Sequence, residues 1–532
     1  MNPKKLILFI LIIIAVTFSI ISCVEKDIKD IPEDKSNIVA DTTTSSEATT
    51  VPAFESNKQI MVNYLIENKN KAAGRLDGET TQSIDSAVSK TSPVTAVPNL
   101  GYKFVGWSDG ITENTRTDET FTETADIYAI FEVDAYEMPV IMIDTGGTDI
   151  TSKVDYIPGK ISVMNTDPAY TLTDHDMEIR GRGNYTWSYV DRDYPYNKVS
   201  FKIKLSKKQN LLGQGKGPAK VWTLIANHED QTLLRSAMAY GFAAKLDNIA
   251  YITSISNVEV YFNGEYIGVY ILCEQEQINK YRIDLDDTGT EADKGYFLEM
   301  QMKESGGNYY FNVNTKTYAV ISEITTQEQK DFIKKYIKDC WDAVISGDKS
   351  RVEQLMDLPS VVDTYIAEEL VKNLDVGYEN FYMTKPAGDV LYFASIWDMK
   401  FGGGNANQSG CDKWQDLYAG VSLGAFQEHP WFIEFMKHDW FRQMVKDRWN
   451  ELPEELAWVV PFIENTAKKY HNSFERNFIR WPIFGQAINR EPKPIQKLKT
   501  YDEHVAYLAD WMKNRIDWLD NYINSAKFFG NQ

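Results

Sequence analysis

Two aspartates in the second half of the chain have the residue type and the neighbours of a cation site. Asp375 and Asp398 each follow or end an apolar segment, and a run of glycines begins at Gly402. Asn380 follows Asp375 closely along the chain. Mg²⁺ is a hard cation that prefers carboxylate and amide oxygens. The pair of aspartates, with Asn380 and the glycines nearby, therefore suits a magnesium site.

Arginines and glycines alternate at Arg180, Gly181, Arg182 and Gly183. The forked guanidinium groups suit phosphate or carboxylate, and glycines let the backbone of a loop approach a ligand closely. The pattern predicts an anion-binding loop. An ordinary turn has the same composition, so that alternative stays open.

Lysines alternate with apolar residues in the next basic segment. In a β-strand, Lys198, Lys202 and Lys204 share one face, and protein kinases use a lysine on a strand to contact nucleotide phosphates. A solvated strand face has the same alternation and is the competing interpretation. Glu274 ends a later predicted strand, where an acid has a reason to lie if it binds a metal or positions a lysine.

The sequence predicts a domain of both strands and helices that would position these residues. Alternating apolar residues predict strands at 140–143, 198–205, 258–262 and 268–272. Helical periodicity predicts helices at 230–246, 327–345, 358–372, 431–452, 455–470 and 501–523. Asn263-Gly264 between two strands indicates a tight hairpin. A β-rich front half and an α-rich back half predict an α+β body with two lobes.

The first of these helices has a polar start. Asn227 or Asp230 is expected to cap it, and Arg235 follows Asp230 by a little more than one turn. We expect a capped helix with a surface ion pair.

Composition excludes several classes of protein. The chain has 532 residues, 43% of them hydrophobic, so global disorder is excluded. Its 56 basic and 76 acidic residues give a net charge of −20, which repels phosphate backbones and makes a nucleic-acid partner improbable. Its four cysteines are too few for a disulfide scaffold and include no Cys-x-x-Cys pair, which argues against a cysteine zinc site. The three cysteines after Cys23 are free buried thiols, or one bridge and one thiol.

The N-terminus resembles a bacterial lipoprotein signal. Two lysines precede an uncharged apolar run from Leu6 to Ser22, and Cys23 follows directly. The Ser-Cys junction resembles the lipobox, in which the cysteine is lipidated after cleavage. An uncleaved membrane anchor is the alternative, since the run is at the lower limit for spanning. Both readings predict an extracytoplasmic protein held at a bacterial membrane, with 1–22 as the signal and 23–58, rich in Ser, Thr and Asp, as a flexible tether.

Residues 59–134 are predicted to form a small β-rich module. The segment Gly101-Tyr-Lys-Phe-Val-Gly-Trp-Ser-Asp-Gly110, with Arg116 and the strand ending at Phe131, resembles the Listeria–Bacteroides repeat of internalin-type surface proteins. That resemblance implies a β-grasp-like fold and a spacer or adhesion role. A single copy favours the spacer.

The remaining segment, 135–529, resembles the CotH family of spore-coat and surface proteins. The motifs that carry the resemblance are Arg-Gly-Arg-Gly-Asn, Lys-Ile-Lys-Leu, Trp-x-Leu-x-Ala-Asn-x-x-Asp, Asn-Gly-Glu-Tyr-x-Gly-x-Tyr and Trp397-Asp398. The family implies an atypical, two-lobed protein-kinase-like fold that uses ATP and Mg²⁺ to phosphorylate Ser or Thr of a protein.

The resemblance also implies roles for the residues described above. The alternating Arg-Gly segment at 180–183 would lie over the phosphates, and Lys202 or Lys204 would contact them. Asp375 would orient the acceptor hydroxyl, and Asp398 would hold the metal.

Two positions depart from the family pattern. A usual double lysine reads Lys198-Val199, and the second acid of Trp-Asp-x-Asp is Lys400. A lysine there disfavours a metal. The competing hypothesis is therefore a non-catalytic surface protein, a pseudokinase used for binding, adhesion or scaffolding. The 13% aromatic content also permits a glycan-binding variant.

Overall fold

The structure is a computed structural model that describes residues 59–85, 90–119, 121–183, 187, 198–301, 304, 309–377, 379, 381–423, 428–486, 488 and 490–530. The predicted signal, Cys23 and the tether lie outside these residues, as does Asn380. Within the described part of the chain, none of the helices combines the length and the apolar composition that a membrane crossing requires.

The strands alternate buried and exposed positions where one face covers a core. They are β1 Gln59–Ile66, β2 Gly74–Asp77, β3 Thr81–Asp85, β4 Val94–Pro98, β5 Tyr102–Trp107, β6 Thr115–Arg116, β7 Ala125–Val133, β8 Val140–Asp144, β9 Ile157–Met164, β10 Leu172–Arg182, β11 Ser200–Gln209, β12 Ala219–Ile225, β13 Ile255–Phe262, β14 Glu265–Glu274, β15 Tyr296–Gln301, β16 Tyr309–Val313, β17 Lys316–Val320, β18 Phe381–Lys385 and β19 Tyr392–Ser395.

The helices lie mostly in the second half. They are α1 Arg235–Ala243, α2 Gln327–Ser346, α3 Lys349–Glu353, α4 Leu358–Val371, α5 Pro430–Phe435, α6 Asp439–Asn450, α7 Pro453–Lys469, α8 His471–Arg480 and α9 Tyr501–Ile523. The predicted α+β class is confirmed.

The N-terminal module has two small sheets around one core. A mixed sheet has the order β3-β1-β7-β5, with β1 parallel to β7 at its centre, and a second sheet has the order β2-β4-β6. Trp107, which ends β5, is fully buried against Tyr64 and Phe104. The buried guanidinium of Arg116 lies over the Trp107 ring and pairs with Asp109. The tryptophan of the repeat motif is therefore the centre of the module's core.

A closed barrel follows, with strand order β10-β11-β12-β14-β13-β8-β9. Its interior is apolar because alternate residues of each strand point inward, among them Ile179, Ile203 and Leu224. The other face of β12 and β14 packs on the helical part, where Ile271 and Cys273 join the large core. The polar residues on the outer face of the neighbouring strands β10 and β11 therefore lie beside the contact between the two lobes.

The helical lobe packs around a five-stranded sheet of order β16-β17-β15-β18-β19. Its helices α2 and α9 begin where predicted, since each has a capping box at its first turn. Cys273, Cys340 and Cys411 are buried free thiols.

Two predicted helices differ from the observed ones. The segment 431–452 is two helices, because the chain breaks at His438, whose ring contacts the Val344 carbonyl at the end of α2. The helix expected from Asp230 begins only at Arg235. The first difference accompanies a tertiary contact, and the second accompanies local bonds of Asp230 to Thr232 and to the Arg235 N–H.

Candidate functional site

A cationic face lies on β10 and β11 beside the contact between the lobes. Arg180 pairs in register with Lys202, and Arg182 lies two residues further along the same face, opposite Ser200. None of these three cations forms an ion pair among the described residues. Burial and the charges of Arg180, Arg182 and Arg282 lower the pKa of Lys202 to about 8. Unneutralised cations this close repel one another, and an anion would relieve that repulsion.

The neighbouring lysines have other partners. Lys204, also on this face, is half-exposed and pairs with Glu178 at 3.2 Å. Lys198 lies before β11 and is buried. Its ammonium donates to the Val269 carbonyl and to Asn477 Oδ1, and burial holds its pKa well below the usual range. The structure thus leaves Lys202 without an ion pair and gives Lys198 and Lys204 partners within the protein.

The predicted glycine loop is a strand. Arg180, Gly181 and Arg182 continue β10, with Gly181 opposite Phe201. A side chain at Gly181 would meet the Trp187 ring within 2.2 Å, so glycine is required there by packing on the inner face rather than by a ligand. Gly183 has φ +99° and ends the strand. The loop expectation is wrong because the arginines alternate with the strand period.

Asp398 follows β19 in the helical lobe. Its backbone has φ 61°, an uncommon left-handed conformation, and its N–H donates to the Tyr240 hydroxyl at 3.1 Å. Both oxygens of its carboxylate accept from the Lys400 ammonium, each at 2.7 Å. Lys400 thus neutralises the carboxylate that was predicted to bind a metal.

Trp397 joins the cationic face to this aspartate. The Arg182 guanidinium lies 5.5 Å from the centre of the Trp397 ring, which also contacts the ring of Tyr240. Asp398 follows Trp397 directly and bonds to the Tyr240 hydroxyl. Arg182 of the barrel therefore contacts the residue directly before Asp398 in the helical lobe.

Asp375 lies near Asp398, after α4. Burial raises the pKa of Asp375, Lys400 and Arg490 lower it, and the charge of Asp398 raises it, with a net upward shift. Arg490 Nη1 lies 3.4 Å from Asp375 Oδ1. A carboxyl with a raised pKa next to a second carboxylate has the electrostatics of a proton acceptor. The structure brings together the two aspartates that were predicted as catalytic.

Glu229 is the acid that sequence reasoning did not identify. Its side chain is 2% exposed, and apart from its own amide neither carboxylate oxygen has a hydrogen-bond partner among the described residues. Burial raises its pKa, the charge of Lys400 lowers it and that of Asp398 raises it. The signal available in the sequence was only its place three residues after Ala226, between two motif residues, Asn227 and Asp230.

Asn405 holds Glu229 and Lys400 together. Its side-chain amide donates to the Glu229 carbonyl at 2.8 Å and to the Lys400 carbonyl at 2.9 Å. Burial lowers the pKa of Lys400, but the charges of Asp398, Glu229 and Asp375 raise it above its usual value. Lys400 is therefore an ammonium held among the acidic side chains of Asp398, Glu229 and Asp375.

The donor set does not fit Mg²⁺ with Lys400 in this position. The described residues contain no group of three or more acidic, histidine or cysteine side chains arranged to hold a metal. A doubly charged ion about 4 Å from the ammonium is disfavoured by roughly 8 kcal/mol at an effective dielectric constant of about 20. Asp398 stays a predicted ligand, and Asn380 lies outside the described residues.

Glu274 and Asp230, two other motif residues, form buried ion pairs inside the protein. Glu274 pairs with Arg282 at 3.3 Å, both fully buried, and does not position a lysine of the cationic face. Asp230 and Arg235 form a buried pair at 2.6 Å, not the surface pair that was expected. Asp230 also accepts from the Arg235 N–H, so it shapes the turn that begins α1.

Comparison with known proteins assigns both parts of the chain. A family model described as CotH kinase protein matches residues 179–519, more than half of the chain. A model described as Divergent InlB B-repeat domain matches residues 64–135. No curated protein matches the chain. Both resemblances predicted from motifs are confirmed, and the first match begins inside β10, after strands β8 and β9 that close the barrel.

Proposed function

The chain belongs to the CotH kinase protein family, and from that premise we propose that it binds a nucleoside triphosphate, in the first place ATP, and transfers the terminal phosphoryl group to Ser or Thr of a protein. The observation that carries the proposal is the face of three cations without ion pairs, Arg180, Arg182 and Lys202, whose Arg182 contacts Trp397 directly before Asp398, with Asp375 near that aspartate.

The chain's own residues divide the reaction between them. The cationic face binds and neutralises the phosphates. The acceptor oxygen forms a bond to the terminal phosphorus while the bond from that phosphorus to the bridging oxygen breaks, and a nucleoside diphosphate leaves. The hydroxyl proton passes to the Asp375 carboxylate, whose raised pKa suits it to accept that proton.

The test measures binding and transfer separately. With ATP labelled in its terminal phosphate, we expect Asp375→Asn to lose phosphorylation of itself and of a casein-type acceptor by about 100-fold or more. Its affinity for ATP should change little. A matched control is Lys204→Ala, which removes a lysine already paired with Glu178. Transfer that survives in Asp375→Asn contradicts the proposed role.

A second candidate is a protein that binds a nucleotide without transferring phosphate. The observation that favours it is the pair of 2.7 Å bonds between Lys400 and Asp398. Such a protein would serve as a surface binding, adhesion or scaffold unit. ATP binding by the wild type without any labelled product supports this candidate over the first.

We also propose that the chain is held at the outer side of a bacterial membrane through a lipid on Cys23. The support is the apolar run that ends at Ser22. In fractionated cells, Cys23→Ala should leave the membrane fraction. A variant that remains fully membrane-bound and uncleaved indicates a true anchor instead.

A further inference from the structure

Lys400 occupies the position in which the family pattern has its second acid. Its ammonium lies 2.7 Å from each oxygen of Asp398. The carboxylates of Glu229 and Asp375 also attract it. A cation that touches both oxygens of one carboxylate and is surrounded by others has the charge environment of a bound metal ion.

Glu229 adds an acidic side chain to the site in which Lys400 replaces one. Its carboxylate is buried and has no hydrogen-bond partner beyond its own amide among the described residues. A buried carboxylate without a partner is strongly disfavoured unless a charge stabilises it. Asn405, by bonding the backbone carbonyls of both residues, fixes Glu229 beside Lys400.

We propose that the Lys400 ammonium takes the place of a divalent cation beside Asp398, with Glu229 as an added acid, so that the chain binds a nucleoside triphosphate without Mg²⁺. The inference rests on the proposed function, since it names the cation of that same site. An ammonium on a four-carbon side chain is covalently held, so it needs no binding step of its own. It donates hydrogen bonds to phosphate oxygens.

The deciding measurement uses the wild-type chain and fluorescently labelled ATP, with excess Mg²⁺ or with EDTA. We expect the two dissociation constants to agree within about twofold, well inside the tenfold that corresponds to about 1.4 kcal/mol. Binding that requires Mg²⁺ overturns this inference and leaves the proposed function standing. Absence of binding in both conditions overturns the proposed function, and this inference with it.

Variants at Lys400 give a second readout. In EDTA, Lys400→Met should bind ATP about tenfold or more weakly than the wild type, and added Mg²⁺ should restore its affinity. Lys400→Arg should bind ATP equally well with and without metal. The matched control is Lys338→Met, which removes a lysine from a surface pair with Asp342 at 2.6 Å. It should behave as the wild type.

Mn²⁺ alone provides a readout without nucleotide. By electron paramagnetic resonance, we expect the wild type to leave Mn²⁺ unbound and Lys400→Met to bind it. A wild type that binds Mn²⁺ as well as the variant overturns the inference. The comparison of Mg²⁺ with EDTA in the wild type decides the question even if the variant fails to fold.

Discussion

Two neighbouring cross-strand pairs on the same face of β10 and β11 differ in their charge balance. Lys204 and Glu178 form an exposed pair, while Lys202 and Arg180, the next pair in register, carry two positive charges. An exposed ion pair contributes little to stability, and the cations of this cluster repel one another, although Arg182 also contacts the Trp397 ring. The repulsion at Lys202 supports the proposal that an anion binds there.

Removing the cluster should reduce nucleotide binding without loss of stability. We expect Lys202→Ala and Arg182→Ala each to weaken ATP binding by about tenfold or more, because charged hydrogen bonds contribute about 1.5–3 kcal/mol. The melting temperature should stay the same or rise slightly as repulsion falls. Lys204→Ala is the control. Equal effects at Lys204 would mean that the face acts only through its overall charge.

The two aspartates of the site should differ in their contribution to stability. Asp398→Asn removes the charge that both 2.7 Å bonds of Lys400 rely on, so we expect a loss of about 1–3 kcal/mol in the free energy of unfolding. Asp375→Asn should be nearly neutral, because burial disfavours its charge. Denaturant titration measures both. Equal losses would contradict this assignment of charges.

At the scale of elements, α4 carries two neighbouring buried carboxylates with different environments. Glu369 accepts from Arg515 of α9 and from the backbone N–H groups of Tyr418 and Ala419. Glu368 has one oxygen without a partner, and burial raises its pKa to about 8. The first ties the helical lobe together, and the second is a source of pH dependence.

Arg515 should be one of the most sensitive positions in the lobe. Its guanidinium donates to the carbonyls of Trp414, Asp416 and Glu369 as well as to the Glu369 carboxylate. Arg515→Met would leave a buried charge and three carbonyls unpaired, and we expect it to destabilise the chain by about 3–5 kcal/mol. Thermal unfolding measures the loss, and a surface variant such as Lys513→Met is the control. A change below about 1 kcal/mol would show that water replaces the guanidinium.

Glu368 should make the protein less stable as the pH rises. Its folded-state pKa of about 8 lies above its ordinary value, so the folded chain holds the proton more tightly than the unfolded chain does. That contribution is complete below about pH 4.5 and disappears as the pH passes through about 8. Glu368→Gln should therefore be more stable than the wild type by about 1–3 kcal/mol at alkaline pH and similar at acidic pH. Parallel melting curves across this range would refute the assignment.

At the scale of the whole molecule, the repeat is joined to the barrel by a shared apolar cluster. Val140, Tyr261 and Tyr266 of the barrel pack with Leu100 and Tyr102 of the repeat. The Tyr102 hydroxyl donates to the Gly264 carbonyl, and the Tyr261 hydroxyl donates to the Gly101 carbonyl. The repeat is thus packed on the hairpin of β13 and β14, as a fixed extension of the barrel.

A chain that begins at residue 135 should be less stable than one that begins at residue 59. Deletion exposes the Tyr261 and Tyr266 rings, each of which contributes on the order of 2 kcal/mol through burial. We expect residues 59–530 to unfold in a single calorimetric transition, and the shorter chain to melt at a lower temperature. Two separate transitions in the longer chain would show that the repeat is an independent spacer.

Much of the molecule follows from local patterns. The strand-to-helix order, the Asn263-Gly264 hairpin and the start of α9 were predictable, because side-chain alternation, left-handed turn residues and a capping box act over a few residues. The motifs likewise predicted the family and the approach of Asp375 to Asp398.

The charge partners, by contrast, were decided by tertiary structure. Nothing local distinguishes Lys202 from Lys204, or Glu229 from a surface acid. Lys204 meets Glu178 across a strand, whereas Lys202 meets Arg180. Glu229 lies beside Lys400, 171 residues away, because Asn405 bonds to both backbones. Folding decides which charges lie beside an ionisable side chain. At a few ångströms from a buried group, those charges affect its pKa and its partners more than the neighbouring residues in the sequence do.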